Sequence, residues 1–160
     1  MTASIIDKMV SFYETDVNRI NHALKVYAFA SCIARKEILT ENETFIVDIA
    51  AILHDIGIKE AEKKYNSSGG HYQEIEGPAI ARNLLAEENL DPETLERICY
   101  IIGNHHSYQK IDGLDFQIVV ESDFLVNIYE DDISGDSIER IRLNYFKTQT
   151  GISMLERIYM

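Results

Sequence analysis

The run Phe45-Ile46-Val47-Asp48-Ile49-Ala50-Ala51-Ile52-Leu53 leads straight into His54-Asp55, with Gly57 two residues on. Eight of the nine residues in that run are apolar, so the segment has to be buried, and a glycine just past it marks a helix end. A fold built around this helix carries an imidazole and a carboxylate to the edge of its core. A buried carboxylate is costly unless it is paired or bound to a cation. The remaining histidines fall in order on other segments: His22, His71 and the pair His105-His106, followed by Asp123.

Helical periodicity dominates the rest of the chain and no strand-like alternation persists, which predicts an all-α fold. The spacing predicts a short amphipathic helix over 3–13 and a long one over about 17–37, capped by Asp16. Thr40-Glu41-Asn42-Glu43 reads as a capping box opening a third helix to about Ile56. A loop with a short helix covers 58–71, and helix returns over about 73–89, interrupted or started near Gly77-Pro78. Asp91-Pro92 pairs an N-cap with proline at the first helical position, opening a helix over 92–105. A polar loop over 107–114, a helix over 115–130 and two final helices over 136–147 and 151–159 complete the reading. One domain spanning residues 1–160 is expected, with a core at about 17–128 and a C-terminal helical extension at about 131–160 that closes the core or pairs two protomers as a homodimer.

The formal net charge of −12 repels long polyanions, and no basic stripe tracks a phosphate backbone, so long nucleic acid is not an expected partner. A small phosphorylated molecule remains compatible, because bound cations invert the local field. No apolar stretch reaches the ~18 residues of a membrane span. Cys32 and Cys99 form no CxxC or disulfide framework, and a cytoplasmic setting is expected.

Helical spacing stacks His54 on Val47, Ala50 and Ala51, His105 on Ile98, Ile101 and Ile102, and Asp123 on Phe116, Val119 and Val120. It places His22 on one face with Val26. Three imidazoles and a carboxylate therefore face inward from four helices, and Asp55 adjoins one of them. A histidine–aspartate hydrogen-bond network would satisfy some of these groups; convergence on a cation accounts for all of them. Nitrogen and oxygen donors without thiolate suit Mn, Fe, Co, Ni or Zn, in one or two ions.

The order His22 … His54-Asp55 … Asp123 resembles the HD superfamily of metal-dependent phosphohydrolases, an all-helical bundle. The flanking Arg19-Ile20-Asn21-His22-Ala23-Leu24-Lys25-Val26 and Ile52-Leu53-His54-Asp55-Ile56-Gly57 agree with it, and the resemblance spans about residues 17–128. It implies that His22, His54, Asp55 and Asp123 hold a first metal. In branches with extra histidines the aspartate of the dipeptide bridges two metals, and His71, His105 and His106 stand where those extras would. Asp55 would then position or deprotonate the attacking water.

The sequence departs from common family patterns twice. Ile58 occupies the position three after Asp55 where a lysine or glutamate often sits, with Lys59 next, and His71 precedes Gly77 by six residues rather than four. Glu74 or Glu76 is a substitute for His71. Lys59 and Lys110 are the favoured phosphate holders, ahead of Arg19, Lys25 and Arg82, and Tyr72 and Tyr108 are candidate faces for a nucleobase. The implied activity is hydrolysis of a phosphoester or phosphoanhydride in a small molecule, with a nucleotide expected. The alternatives are an HD-type di-iron oxygenase, for which Lys110 would be a substrate lysine, and a non-catalytic nucleotide-binding sensor.

Overall fold

The computed structural model describes residues 1–160 as nine α-helices and one short 3₁₀ turn, without strands. In chain order these are α1 (Thr2–Tyr13), α2 (Val17–Lys36), α3 (Glu41–Leu53), α4 (Ile58–Tyr65), α5 (Gly70–Leu85), α6 (Pro92–Ile102), the 3₁₀ turn (Tyr108–Lys110), α7 (Leu114–Glu130), α8 (Asp136–Tyr145) and α9 (Gln149–Tyr159). No helix is long and apolar enough to cross a membrane.

The caps form as their sequences dictate. The Asp16 side chain accepts from the Arg19 backbone N–H at 3.2 Å, and that of Asp91 from Thr94 at 2.9 Å. Thr40 and Glu43 close a reciprocal capping box. α3 is the centre of the bundle: every residue from Ile46 to Leu53 is buried, and the helix packs against α1, α2, α6 and α7. One apolar cluster runs from Ile5 in α1 to Leu155 in α9.

Two helices stop earlier than their periodicity suggests. α3 ends at Leu53 rather than near Ile56, and α6 at Ile102 rather than 105, so His54-Asp55 and His105-His106 both fall in tight turns after a helix end. The consequence for the site is direct. Neighbours within a helix point ~100° apart, whereas a terminal turn lets both members of a pair face the same side. α5 runs unbroken through Gly77-Pro78, since Pro78 lies within a helix supported on both sides by α4 and α6.

The turn after α3 is pinned by a close backbone crossing. A Cβ on Gly57 would collide with the Gln73 carbonyl oxygen and lie 2.8 Å from the Gly77 nitrogen, so α5 crosses the turn where neither chain has a side chain. Gly57→Ala is expected to destabilise the fold by about 3 kcal/mol, because backbone rather than a flexible side chain must yield. Thermal unfolding should shift down by roughly 10 °C, and an unchanged melting temperature would contradict this packing.

The C-terminal helices are tied to α7 through Glu121, which is fully buried. Its Oε1 accepts from the backbone N–H groups of Lys147 at 2.6 Å and Thr148 at 2.9 Å and from Gln117 Nε2 at 2.8 Å. Its Oε2 accepts from the Thr148 hydroxyl at 2.5 Å. Elsewhere, Arg97 grips Asp115 in a bidentate pair at 2.7 and 2.6 Å, fixing α6 against the start of α7.

Candidate metal centre

Four segments deliver the site. α2 supplies His22, the turn after α3 supplies His54 and Asp55, the turn after α6 supplies His105 and His106, and the middle of α7 supplies Asp123. Their donor atoms form two adjoining groups, His22/His54/Asp123 and Asp55/His105/His106, each with its atoms within 4.8 Å of one another. His22 Nε2 lies 3.1 Å from His54 Nε2 and 3.2 Å from Asp123 Oδ1. Asp55 joins the groups: Oδ2 lies 3.4 Å from His22 Nε2 and 3.3 Å from His54 Nε2, while Oδ1 lies 3.4 Å from His105 Nε2.

The imidazoles are oriented from behind. His54 Nδ1 donates to the Ala51 carbonyl and His105 Nδ1 to the Ile102 carbonyl, both at 2.8 Å. A carbonyl only accepts, so Nδ1 carries a proton in each ring and Nε2 is turned to the centre. His22 differs: its Nδ1 meets a side chain, Glu130 Oε2, at 2.6 Å, and Glu130 in turn is paired with Lys25. Tyr13, at the end of α1, donates from its hydroxyl to the Asp55 carbonyl at 2.9 Å and steadies the dipeptide turn.

The electrostatics suit a cation. Burial opposes charge on His22 and His54, yet the charges and hydrogen bonds of Asp55 and Asp123 outweigh it and raise both pKa values, that of His54 well above the ordinary histidine range. Burial likewise works to raise the carboxylate pKa values, but the facing histidines hold Asp123 below, and Asp55 well below, the usual range. Burial and the neighbouring His105 push His106 down to about 4, leaving it neutral with a free lone pair. His105 Nε2 is buried with no hydrogen-bond partner. An orphaned, inward-facing nitrogen beside a carboxylate is the arrangement a divalent cation completes.

The HD-domain family model matches residues 19–141 of this chain. The chain belongs to the HD-domain family. The matched span of this HD domain contains all the donors of both groups and extends past the expected limit of 128 into the first half of α8. The family is one of metal-dependent hydrolases. The fold is similar to that of a predicted HD superfamily hydrolase from an uncultured Thermotogales bacterium, with a TM-score of 0.71 and 24% identity over 97% of this chain and 83% of that one. Comparison with curated proteins gives no match.

Three candidates from the sequence are not brought to the centre. His71 is exposed in the first turn of α5 and belongs to neither donor group; Gly70 before it, rather than its own ring, packs on the His106 imidazole, at 2.6 Å from the site of a Cβ to Cδ2. The two extra residues between His71 and Gly77 place this histidine at the helix start, where its ring lies against Tyr72. Lys59 points to the α1–α2 link, where it donates to the Phe12 carbonyl and to Glu14, both at 3.1 Å. Lys110 donates to Asn104 Oδ1 at 2.8 Å and is exposed. The roles of Lys59 and Lys110 as phosphate holders therefore find no support in the geometry.

Of the other cations, Arg19 pairs with Asp16 and Glu62, and Arg82 with Glu96. Glu76 is held at the surface by Lys64 and Tyr65. Glu74 reaches the histidine turn as a brace, accepting from the His106 backbone N–H and the Ser107 hydroxyl, both at 3.0 Å. Tyr13 and Glu130 also support the centre, although neither is a candidate from the sequence. Glu130 lies seven residues after Asp123, two turns along the same face of α7, and that spacing is the signal that would have found it.

Proposed function

We propose that this HD domain hydrolyses a phosphoester or phosphoanhydride of a small molecule, with one or two divalent transition-metal ions held by His22, His54, Asp55, His105, His106 and Asp123. The observation that carries this reading is the Asp55 carboxylate, whose two oxygens face different donor groups beside the orphaned His105 Nε2. A divalent cation in such a site supplies Lewis acidity toward phosphoryl oxygens and makes water nucleophilic near neutral pH.

The protein's own residues set the geometry. The Ala51 and Ile102 carbonyls and Glu130 fix the rings so that no reorientation is needed at the moment of reaction. Asp55, with its pKa well below the carboxylate range, stays ionised at neutral pH and accepts a hydrogen bond from the attacking water, orienting its lone pair. No acid or base stands three residues after Asp55, where Ile58 falls, so the water is oriented from the donor cluster itself.

The acidic chain, at a net charge of −12, favours a small substrate over a nucleic acid. The nucleotide expectation follows from the family resemblance, and its two candidate stacking faces are engaged by other rings. Tyr72 is stacked on Tyr65 at 4.3 Å between ring centroids, and Tyr108 packs on Tyr145 at 4.7 Å and Phe124 at 5.4 Å. For the oxygenase alternative, which shares the ligand order, the candidate substrate lysine Lys110 donates to Asn104 Oδ1 rather than facing the donor cluster. The sensor alternative gains nothing from the two donor groups that are present.

The test is to purify the protein, measure its metal content, and assay p-nitrophenyl phosphate and a panel of phosphorylated metabolites with Mn²⁺, Co²⁺ or Fe²⁺. Turnover that is lost on chelation and restored by metal is expected. Absence of turnover with every metal, together with unaltered metal content in Asp123→Ala, would contradict the reading.

A further inference from the structure

α5 presents one side to the turn that carries His106. Gln73 and Glu74 follow Gly70 by three and four residues, so all three lie on the same side of the helix, whereas His71 points ~100° away from Gly70. Each of the three meets His106 differently. A Cβ on Gly70 would lie 2.6 Å from His106 Cδ2 and 2.7 Å from Cγ, so helix backbone lies directly against that edge of the ring. Glu74 accepts from the His106 backbone N–H at 3.0 Å. Gln73 Oε1 lies 3.2 Å from His106 Nε2. Gln73 is buried, and it stands four residues before Gly77, the spacing from which His71 departs.

The direction of the Gln73–His106 contact follows from the other partner of the amide. Gln73 Nε2 donates to the Ser68 carbonyl oxygen at 2.6 Å, which commits the amide nitrogen to that side and turns Oε1 to the ring. An amide oxygen only accepts, so His106 Nε2 carries the proton and donates it to Gln73. A histidine that serves as a metal ligand is neutral, with one ring proton and one lone pair. In His106 that lone pair is therefore on Nδ1. His54 and His105 have the opposite arrangement, because main-chain carbonyls hold the proton of each on Nδ1. A half-turn of the His106 ring would bring Cε1 opposite Gln73 Oε1 and forfeit the hydrogen bond.

We infer that Gln73 is a positioning residue of the metal centre: it holds His106 with its proton on Nε2, so that this ring offers Nδ1 to the Asp55/His105/His106 group while His54 and His105 offer Nε2. The inference deepens the metal-centre reading above and rests on it. It also assigns α5 its part in the site. The helix supplies no ligand through His71, and instead sets the ring of a ligand that the turn after α6 supplies. Through the Ser68 carbonyl, Gln73 ties the segment before α5 to the same ring.

The experiment is nitrogen-15 NMR of the histidine rings in the full chain, metal-free and then with Zn²⁺, at about pH 8 where imidazoles are neutral. With five histidines the ring signals are few, and His106→Gln identifies those of His106. Expected in the metal-free wild type is a proton on Nε2 of His106 and on Nδ1 of His54 and His105. Gln73→Met removes the acceptor with little change of volume and should leave His106 a mixture of both forms, whereas Gln73→Glu keeps an acceptor and should retain the wild-type form. Zn²⁺ should then shift Nδ1 of His106, and Gln73→Met should weaken Zn²⁺ binding about tenfold or more in competition with a chelator. A proton on His106 Nδ1 in wild type, an unchanged form in folded Gln73→Met, or a Zn²⁺ shift at His106 Nε2 would overturn the inference. Should Gln73→Met fail to fold, the wild-type form and the atom that Zn²⁺ shifts decide. Should Zn²⁺ shift none of the histidines, the metal reading fails, while a proton position that depends on Gln73 still upholds its hold on the ring.

Discussion

Asp55→Ala should reduce metal-dependent turnover by about 10³-fold or more, because the several kcal/mol of charge stabilisation that a bound cation contributes leave with the shared carboxylate. The geometry ranks the substitutions. Asp55 faces His22 and His54 with one oxygen and His105 with the other, whereas Asp123 faces only the first group and His105 belongs only to the second. Asp55→Ala is therefore expected to lower metal content further than either Asp123→Ala or His105→Ala. Metal analysis of the three variants beside wild type, with helicity checked by circular dichroism, makes the comparison. Equal retention of metal in Asp55→Ala and wild type would show that Asp55 does not serve both groups.

Glu121→Ala should produce the largest loss of stability outside the metal centre, about 3–4 kcal/mol. The substitution strands the backbone N–H groups of Lys147 and Thr148, which have the Glu121 carboxylate as acceptor, and frees α8 and α9 from α7. For a domain of this size the melting temperature should fall by roughly 10 °C. Glu121→Gln should be far milder, because an amide oxygen still accepts from both backbone groups and the Thr148 hydroxyl can accept from the new amide nitrogen.

The pH dependence separates the variants from wild type. Burial raises the pKa of Glu121, and its hydrogen bonds only partly offset that. A carboxyl raised in the folded state adds stability that is complete below the unfolded pKa and is lost as pH rises through the folded value. The stability of Glu121→Gln relative to wild type should therefore improve from acidic to neutral pH. A Glu121→Ala variant as stable as wild type would contradict the role assigned to this residue.

The helical architecture was readable because its signals are local. Asp16, Thr40 and Asp91 each cap within three residues of themselves, and the apolar face of α3 repeats without interruption. The donors His22, His54, His105 and Asp123 were legible because a charged or polar group on an otherwise apolar helix face must have a partner. The pairing of His105 with His106 was half legible: the sequence gives the dipeptide, but only the early end of α6 lets both rings turn the same way, with centroids 4.0 Å apart.

His71, Lys59 and Lys110 were nominated by nearness in sequence to the motif, and nearness in sequence does not fix direction. Lys59 follows the dipeptide by four residues yet lies over the Phe12 ring at 5.5 Å, because α4 turns it toward α1. Contacts such as Glu121 with Thr148, or Glu130 with His22, join residues 27 and 108 positions apart and carry no periodic signal of their own. They exist only once α7 is docked between α2 and α9.

The central claim is that donors from four segments converge on metal and that Asp55 is shared between them. Anomalous diffraction from crystals of the metal-loaded protein tests it most directly. The account predicts anomalous density among His22, His54, Asp55 and Asp123, with any second peak on the His105–His106 side of Asp55. Density located away from these side chains, or none in protein shown to be loaded in solution, would contradict it.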